Sequence, residues 1–141
     1  MKRILTIVVF SIMFLSCESK VSTHNTSYIS NYQQAILKVK KNNKIVMLKL
    51  TSEDCHFCKN MDKDVLSDED IHFFISQHFI LVDIDVKKEK LPLSLEYKVT
   101  PTFFFINSDE KIISKIQGSW NKKDFLELLE MVVKKVKGEN R

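Results

Sequence analysis

The sequence predicts an α/β domain in which a central mixed β-sheet carries helices on both faces. Three observations predict it. Two short apolar runs, KIVMLKLT (44–51) and FILVDIDV (79–86), are separated by helical patterning, and each reads as a strand buried on both faces. Two more runs, TFFFIN (102–107) and KIISKIQ (111–117), flank the turn residues Asn107, Ser108, Asp109 and Glu110, which makes them antiparallel neighbours. The chain then closes on an amphipathic segment with Phe125, Leu128, Leu129, Val132 and Val136 at helical spacing.

The elements follow in order. SNYQQAILKVKKNN (30–43) places Tyr32, Ala35, Ile36 and Val39 on one helical face, and Asn42-Asn43 ends it. The first strand is apolar on both faces except at Lys49. In SEDCHFCKNMDKDVL (52–66), Cys55, Cys58, Met61 and Val65 recur at three- and four-residue steps, so a helix begins at or near Cys55. Ser67 followed by Asp70 resembles a capping box for a second helix, DEDIHFFISQHF (68–79). After the second strand, KKEKLPLSLEYKV (87–99) reads as a loop and a short helix with Pro92 in its first turn. Gly118 ends the hairpin and Asn121 caps the last helix. The charged run from Lys134 to Arg141 reads as a fraying end, with 137–141 as a tail.

The chain has 141 residues, 44% of them apolar and 28% charged, which allows one domain with a sizeable core. Its formal charge of +4 comes from lysines spread along the chain, with no basic stripe and no aromatic platform among them. Nucleic-acid binding is therefore not expected. The N-terminus is a separate object. MKRILTIVVFSIMFLSC has Lys2 and Arg3, then an apolar run from Ile4 to Leu15, the pattern of a secretory signal peptide over 1–16. The run is shorter than the roughly 20 residues of a transmembrane helix. Ser16-Cys17 at its end resembles the lipobox of bacterial lipoproteins, in which the Cys becomes the lipidated first residue. Phe14 and Leu15 depart from that pattern. The expectation is a lipid on Cys17, a polar tether over 17–29 and a folded domain over 30–136.

There are three cysteines. With Cys17 lipidated, Cys55 and Cys58 remain as a pair in an oxidising compartment. A c-type haem would need His directly after the second Cys, and Lys59 stands there. A structural zinc needs four ligands. His56, His72 and His78 are the histidines beyond residue 29, and none has a paired spacing that points to the same metal. No metal is expected. A purely structural disulfide across so short a loop would constrain the unfolded chain little. The redox reading has a physical basis instead. A Cys55 thiolate at a helix start meets unpaired N–H groups and the positive helix end, which lower a thiol pKa from about 8.5. Cys55 is then the attacking sulfur and Cys58, one turn inward, resolves the mixed disulfide. A protonated His56 would favour the thiolate further; a plain exposed spacer is the other reading of His56.

KIVMLKLTSEDCHFCKNM, then FILVDIDV, then YKVTPTFFFINSDEKIISKIQG and a final amphipathic helix, in that order, resemble the thioredoxin superfamily over about residues 30–136. Within it the chain is most similar to exported thioredoxin-like proteins, above all to the periplasmic thioredoxin-like domain of the membrane protein that carries electrons from cytoplasmic thioredoxin. The resemblance implies a thioredoxin-like fold and no cofactor. It implies that Val99-Thr100-Pro101-Thr102 is the cis-proline loop, facing the CxxC with Thr100 offering backbone hydrogen bonds to a bound peptide. His56, Phe57, Thr100 and Pro101 would then shape the site. The chain also departs from thioredoxin. Asp54 replaces the Trp before the CxxC, His-Phe replaces the Gly-Pro spacer, and Lys49 stands where thioredoxin has a buried acid that assists proton transfer from the second Cys. Lys49 either snorkels to a sheet edge or sits near Cys58 and lowers its pKa. Glu53 or Asp54 is a candidate replacement base.

The resulting expectation is an exported, lipid-anchored thiol:disulfide oxidoreductase of the periplasm or cell envelope, acting as a reductase or isomerase. Its partners would be protein disulfides and a membrane electron donor of the thiol:disulfide interchange type. The alternatives are a disulfide-forming oxidase, or a metal-binding or chaperone module that keeps the fold without turnover.

Overall fold

The computed structural model describes residues 32–139. The signal segment, Cys17 and the tether over 17–29 lie outside the described residues. Helix α1 (Tyr32–Asn42) leads into strand β1 (Ile45–Thr51). Helix α2 (His56–Met61) runs into a wider, π-helical turn (Asp62–Leu66), followed by α3 (Glu69–His78). Strand β2 (Phe79–Asp85), the hairpin β3 (Thr102–Ile106) and β4 (Ile112–Gln117), and helix α4 (Lys122–Glu139) complete the chain. The sheet order is β2-β1-β3-β4, with β1 parallel to β2 and antiparallel to β3, and β3 antiparallel to β4. This is the predicted mixed sheet, and β1 is one of its two inner strands.

Alternation along the strands sorts side chains onto two faces. Ala35, Ile36 and Val39 of α1 cover Val46, Leu48, Leu50, Ile80, Val82, Ile84, Phe104 and Ile106. The opposite face, with Ile45, Met47, Phe79, Leu81, Phe103 and Phe105, packs under α2, α3 and α4 through Met61, Val65, Ile71, Ile75, Phe125 and Leu129. Among the described residues, no helix is long and apolar enough to cross a membrane.

Local details depart from the sequence reading in three places. The cap of α3 is Asp68, not Ser67: its carboxylate accepts from the N–H groups of Asp70 (3.2 Å) and Ile71 (3.4 Å). Ser67 instead donates back to the Lys63 carbonyl at the end of the π-helical turn, so the widened turn shifts the start by one residue. The short helix near Pro92 is only a turn (Pro92–Ser94), because Leu93 and Ser94 have positive φ of 54° and 51°. Helix α4 continues through Glu139 instead of fraying from Lys134. Val136 still packs on the core, and Lys135 donates to the Ile113 carbonyl at 2.9 Å, which ties this last stretch to β4.

Candidate active site

The polypeptide leaves the sheet at Thr51 and turns, with the Cys55 N–H donating to the Ser52 carbonyl at 3.0 Å. That turn makes Cys55 the N-cap of α2, in an extended conformation (φ −81°, ψ 98°). Its sulfur takes the place of the usual capping oxygen: the Cys58 N–H donates to Cys55 Sγ at 3.1 Å. In the reduced protein the same N–H would meet a thiolate and favour it. Cys55 and Cys58 are joined as a disulfide. Cys58 is 1% exposed and Cys55 8% exposed, so the first sulfur is the more accessible and the second is inside.

The structure places the other expected residues as follows. Phe57 is 63% exposed and meets His56 edge-on at 6.0 Å. The exposed His56 imidazole Nε2 lies 3.2 Å from Asn60 Nδ2. The Thr100–Pro101 bond is cis. Pro101 directly precedes Thr102, which pairs with Leu50 near the end of β1, so the proline loop and the CxxC leave the same end of the sheet. Gly118, at φ +84°, a conformation that suits a residue without Cβ, donates its N–H to the Pro101 carbonyl at 2.8 Å. Its neighbour Ser119 points its hydroxyl at Met61 Sδ, 3.9 Å away. The loop after β4 thus links the proline to the end of α2. Trp120 packs on the core beside it.

Glu53 and Asp54 face the loop after β2. Glu53 pairs with Lys88 at 2.9 Å and Asp54 with Lys87 at 2.6 Å. These hydrogen bonds and the lysine charges hold both carboxyls below the usual carboxylate range, which favours bound anions over proton acceptors.

Lys49 is 3% exposed, and its ammonium stops at two carboxylates instead of running out to open water. It donates to Asp62 Oδ1 and lies 2.8 Å from Asp83 Oδ1. Burial works against the ammonium, but Asp83 and Asp62 outweigh it and hold the pKa above the ordinary lysine value. For Asp83, burial dominates and pushes the carboxyl above the usual range against the pull of Lys49. Sequence reasoning missed both carboxylates. Two signals pointed to them: Asp62 follows Cys58 by one helical turn, and a lysine in a buried strand requires an anion nearby.

The comparisons with known proteins agree with this geometry. The family model for a thioredoxin-like domain matches residues 32–132. The chain belongs to the thioredoxin-like family. It is 32% identical over 109 residues to the thiol:disulfide interchange protein DsbD of Campylobacter jejuni, a match that covers 73% of this chain and 19% of that protein. The chain therefore corresponds to about a fifth of the length of that relative. Among solved structures, a thioredoxin from Thermus thermophilus superposes with a TM-score of 0.67 at 24% identity, covering 76% of this chain and 87% of that one. The reduced C-terminal domain of Neisseria meningitidis DsbD gives 0.55 at 21% identity, covering 70% and 91%. Both share the fold. Family membership and the Cys55–Cys58 disulfide at a helix start together give a thioredoxin-like domain with its sulfur pair at the end of β1.

Proposed function

We propose that this thioredoxin-like protein is an exported oxidoreductase of the periplasm or cell envelope, held to a membrane through a lipid on Cys17, that works as a reductase or isomerase of protein disulfides. The observation that carries the redox role is the Cys58 N–H aimed at Cys55 Sγ with Cys58 itself buried. The Cys55 thiolate attacks one sulfur of a substrate disulfide. That S–S bond breaks, the distal sulfur leaves as a thiolate, and a mixed disulfide forms. Cys58 loses its proton and attacks Cys55 Sγ, which re-forms the Cys55–Cys58 bond and expels the second substrate thiolate. The substrate has gained two electrons and the enzyme has lost two. The likeness to DsbD supports a membrane electron donor of the thiol:disulfide interchange type that returns those electrons. The Phe57 ring beside the CxxC and the Thr100–Pro101 loop supply the surface on which a substrate segment would lie.

The test is the reduction potential of the Cys55–Cys58 couple in a fragment beginning at Ser19, equilibrated with glutathione or dithiothreitol and read by thiol alkylation. A value close to about −270 mV supports the reductase; one close to about −120 mV assigns an oxidase instead. Absence of a reversible couple would sink the redox reading and leave the binding module.

A further inference from the structure

The chain between β2 and β3 approaches the Thr100–Pro101 bond without regular structure. Leu95 packs in the core under α1, and Thr102, fully buried, starts β3. The residues between them, Glu96 to Pro101, form neither helix nor strand. A protein partner for their carbonyls must therefore come from outside the segment. The Glu96 carbonyl accepts from Lys115 Nζ at 2.6 Å, the Val99 carbonyl from the Thr102 hydroxyl at 2.6 Å, and the Pro101 carbonyl from the Gly118 N–H at 2.8 Å. The last two bonds secure the end that joins β3. The Lys115 bond secures the other end, and it comes from β4.

Lys115 is itself held in place. It stands opposite Phe104 in the β3–β4 register, and its ammonium lies 5.2 Å from the centroid of the Phe104 ring. At that range a cation is attracted to the aromatic face. Phe104 is buried in the core under α1, so the ring is a fixed platform. Packing does not hold the segment in the same way. A cavity of about 440 Å³ is lined by Leu95, Glu96, Tyr97, Lys98 and Lys115, so this stretch does not rest on a filled core. Beyond Glu96 the chain carries Tyr97 and Val99, both exposed, directly into the Thr100–Pro101 loop on which a substrate segment would lie.

We propose that Lys115 is a positioning residue for protein disulfides: by holding the Glu96 carbonyl it fixes the path of Tyr97, Lys98 and Val99 into the Thr100–Pro101 loop, and so presets the surface that receives the substrate segment. The inference rests on the redox reading of Cys55 and Cys58 and on the placing of the substrate at that loop. The polar contacts of Lys115 are with Glu96 and Phe104, so its effect falls on substrate binding and leaves the exchange steps alone. A segment released from Lys115 must be ordered again when a substrate docks, and that ordering weakens binding. A disulfide too small to reach the segment escapes the penalty.

The experiment uses the full chain carrying Cys17→Ala, in detergent. Turnover of insulin is followed with dithiothreitol as reductant, after subtraction of the uncatalysed rate. A single turnover of the reduced protein is followed with a small aromatic disulfide whose released thiol is coloured. Lys115→Met keeps a stem over Phe104 and removes the charge and the donor. It is expected to raise KM for insulin about fivefold, the net worth of one hydrogen bond, with kcat unchanged, the pattern of lost substrate binding. Its rate with the small disulfide and its reduction potential should match the parent. Lys115→Arg keeps the charge and the donors and should hold KM near the parent value. A parent-like KM in Lys115→Met, equal slowing with both substrates, or a Lys115→Arg variant as impaired as Lys115→Met overturns the proposal. If the parent chain shows no reversible Cys55–Cys58 couple, the redox reading itself falls, and this inference with it.

Discussion

The two faces of the sheet are built for different purposes. The face under α1 is apolar along its length, from Val46 through Leu48 to Leu50 and from Ile80 through Val82 to Ile84. The face under α2 to α4 is apolar in Ile45 and Met47 but charged at Lys49, and the parallel strand changes in step, from Phe79 and Leu81 to Asp83. On β1 and β2 the charges of Lys49 and Asp83 stand beside the strand ends from which the CxxC departs. A sheet face that served packing alone would not accept them, because a buried ion costs more than an apolar residue of similar size. The difference separates a pair of strands packed by apolar residues alone from the same strands' other face, where an ion cluster interrupts the packing.

The largest expected effect breaks the chemistry and leaves both faces alone. Cys55→Ser should abolish exchange altogether. Cys58→Ser should keep the first attack but accumulate a mixed disulfide, visible by mass spectrometry of the quenched reaction. Release of product by Cys58→Ser at the parent rate would refute the resolving role.

Next comes a matched pair of neighbours on β1. Leu48→Ala empties a fully buried site on the α1 face and should cost about 2–5 kcal/mol in denaturant unfolding, with the reduction potential unchanged. Lys49→Met should cost less stability, since both carboxylates reach water that screens the loss. It should nevertheless change the pH dependence of the potential. If the two variants behaved alike in both measurements, the contrast between the faces would fail.

A cap far from the CxxC gives a smaller effect. Asn121 Oδ1 accepts from the Asp124 N–H at 3.0 Å at the start of α4. Asn121→Ala should cost about 1 kcal/mol and leave both steps of exchange intact.

The smallest effect is a pair of opposed pH slopes on the same face. Burial, with Lys137 and Lys44 nearby, lowers the pKa of His78, whose ring lies 4.6 Å from that of Phe74. Its stabilisation is present above the unfolded value of about 6.5 and is lost as pH falls through the depressed folded value. Burial raises the pKa of Asp83. Its contribution is full below the unfolded value of about 3.9 and is lost as pH rises through the raised folded value. Unfolding free energies of His78→Gln and Asp83→Asn, measured across pH, should differ from the parent with opposite slopes.

Local pattern alone determined much of this protein. Period-two and period-3.6 spacing in a run of six to a dozen residues is decided by the residues themselves, so the four strands, the four helices and the place of Cys55 at a helix start were legible. The paired sulfurs and the turn at Gly118 were legible for the same reason. What the sequence left open was decided by contacts between distant segments. Lys49 looked like an exception in a buried strand, and its meaning depended on which residue stands opposite it. The parallel register of β1 and β2 places Asp83 there, and the widened turn after α2 brings Asp62 down to the same ammonium. Periodicity says that a strand is buried but not which strand lies beside it or in what register. Pairing is a property of the assembled sheet, and the environment of a buried charge is settled only when the sheet closes around it.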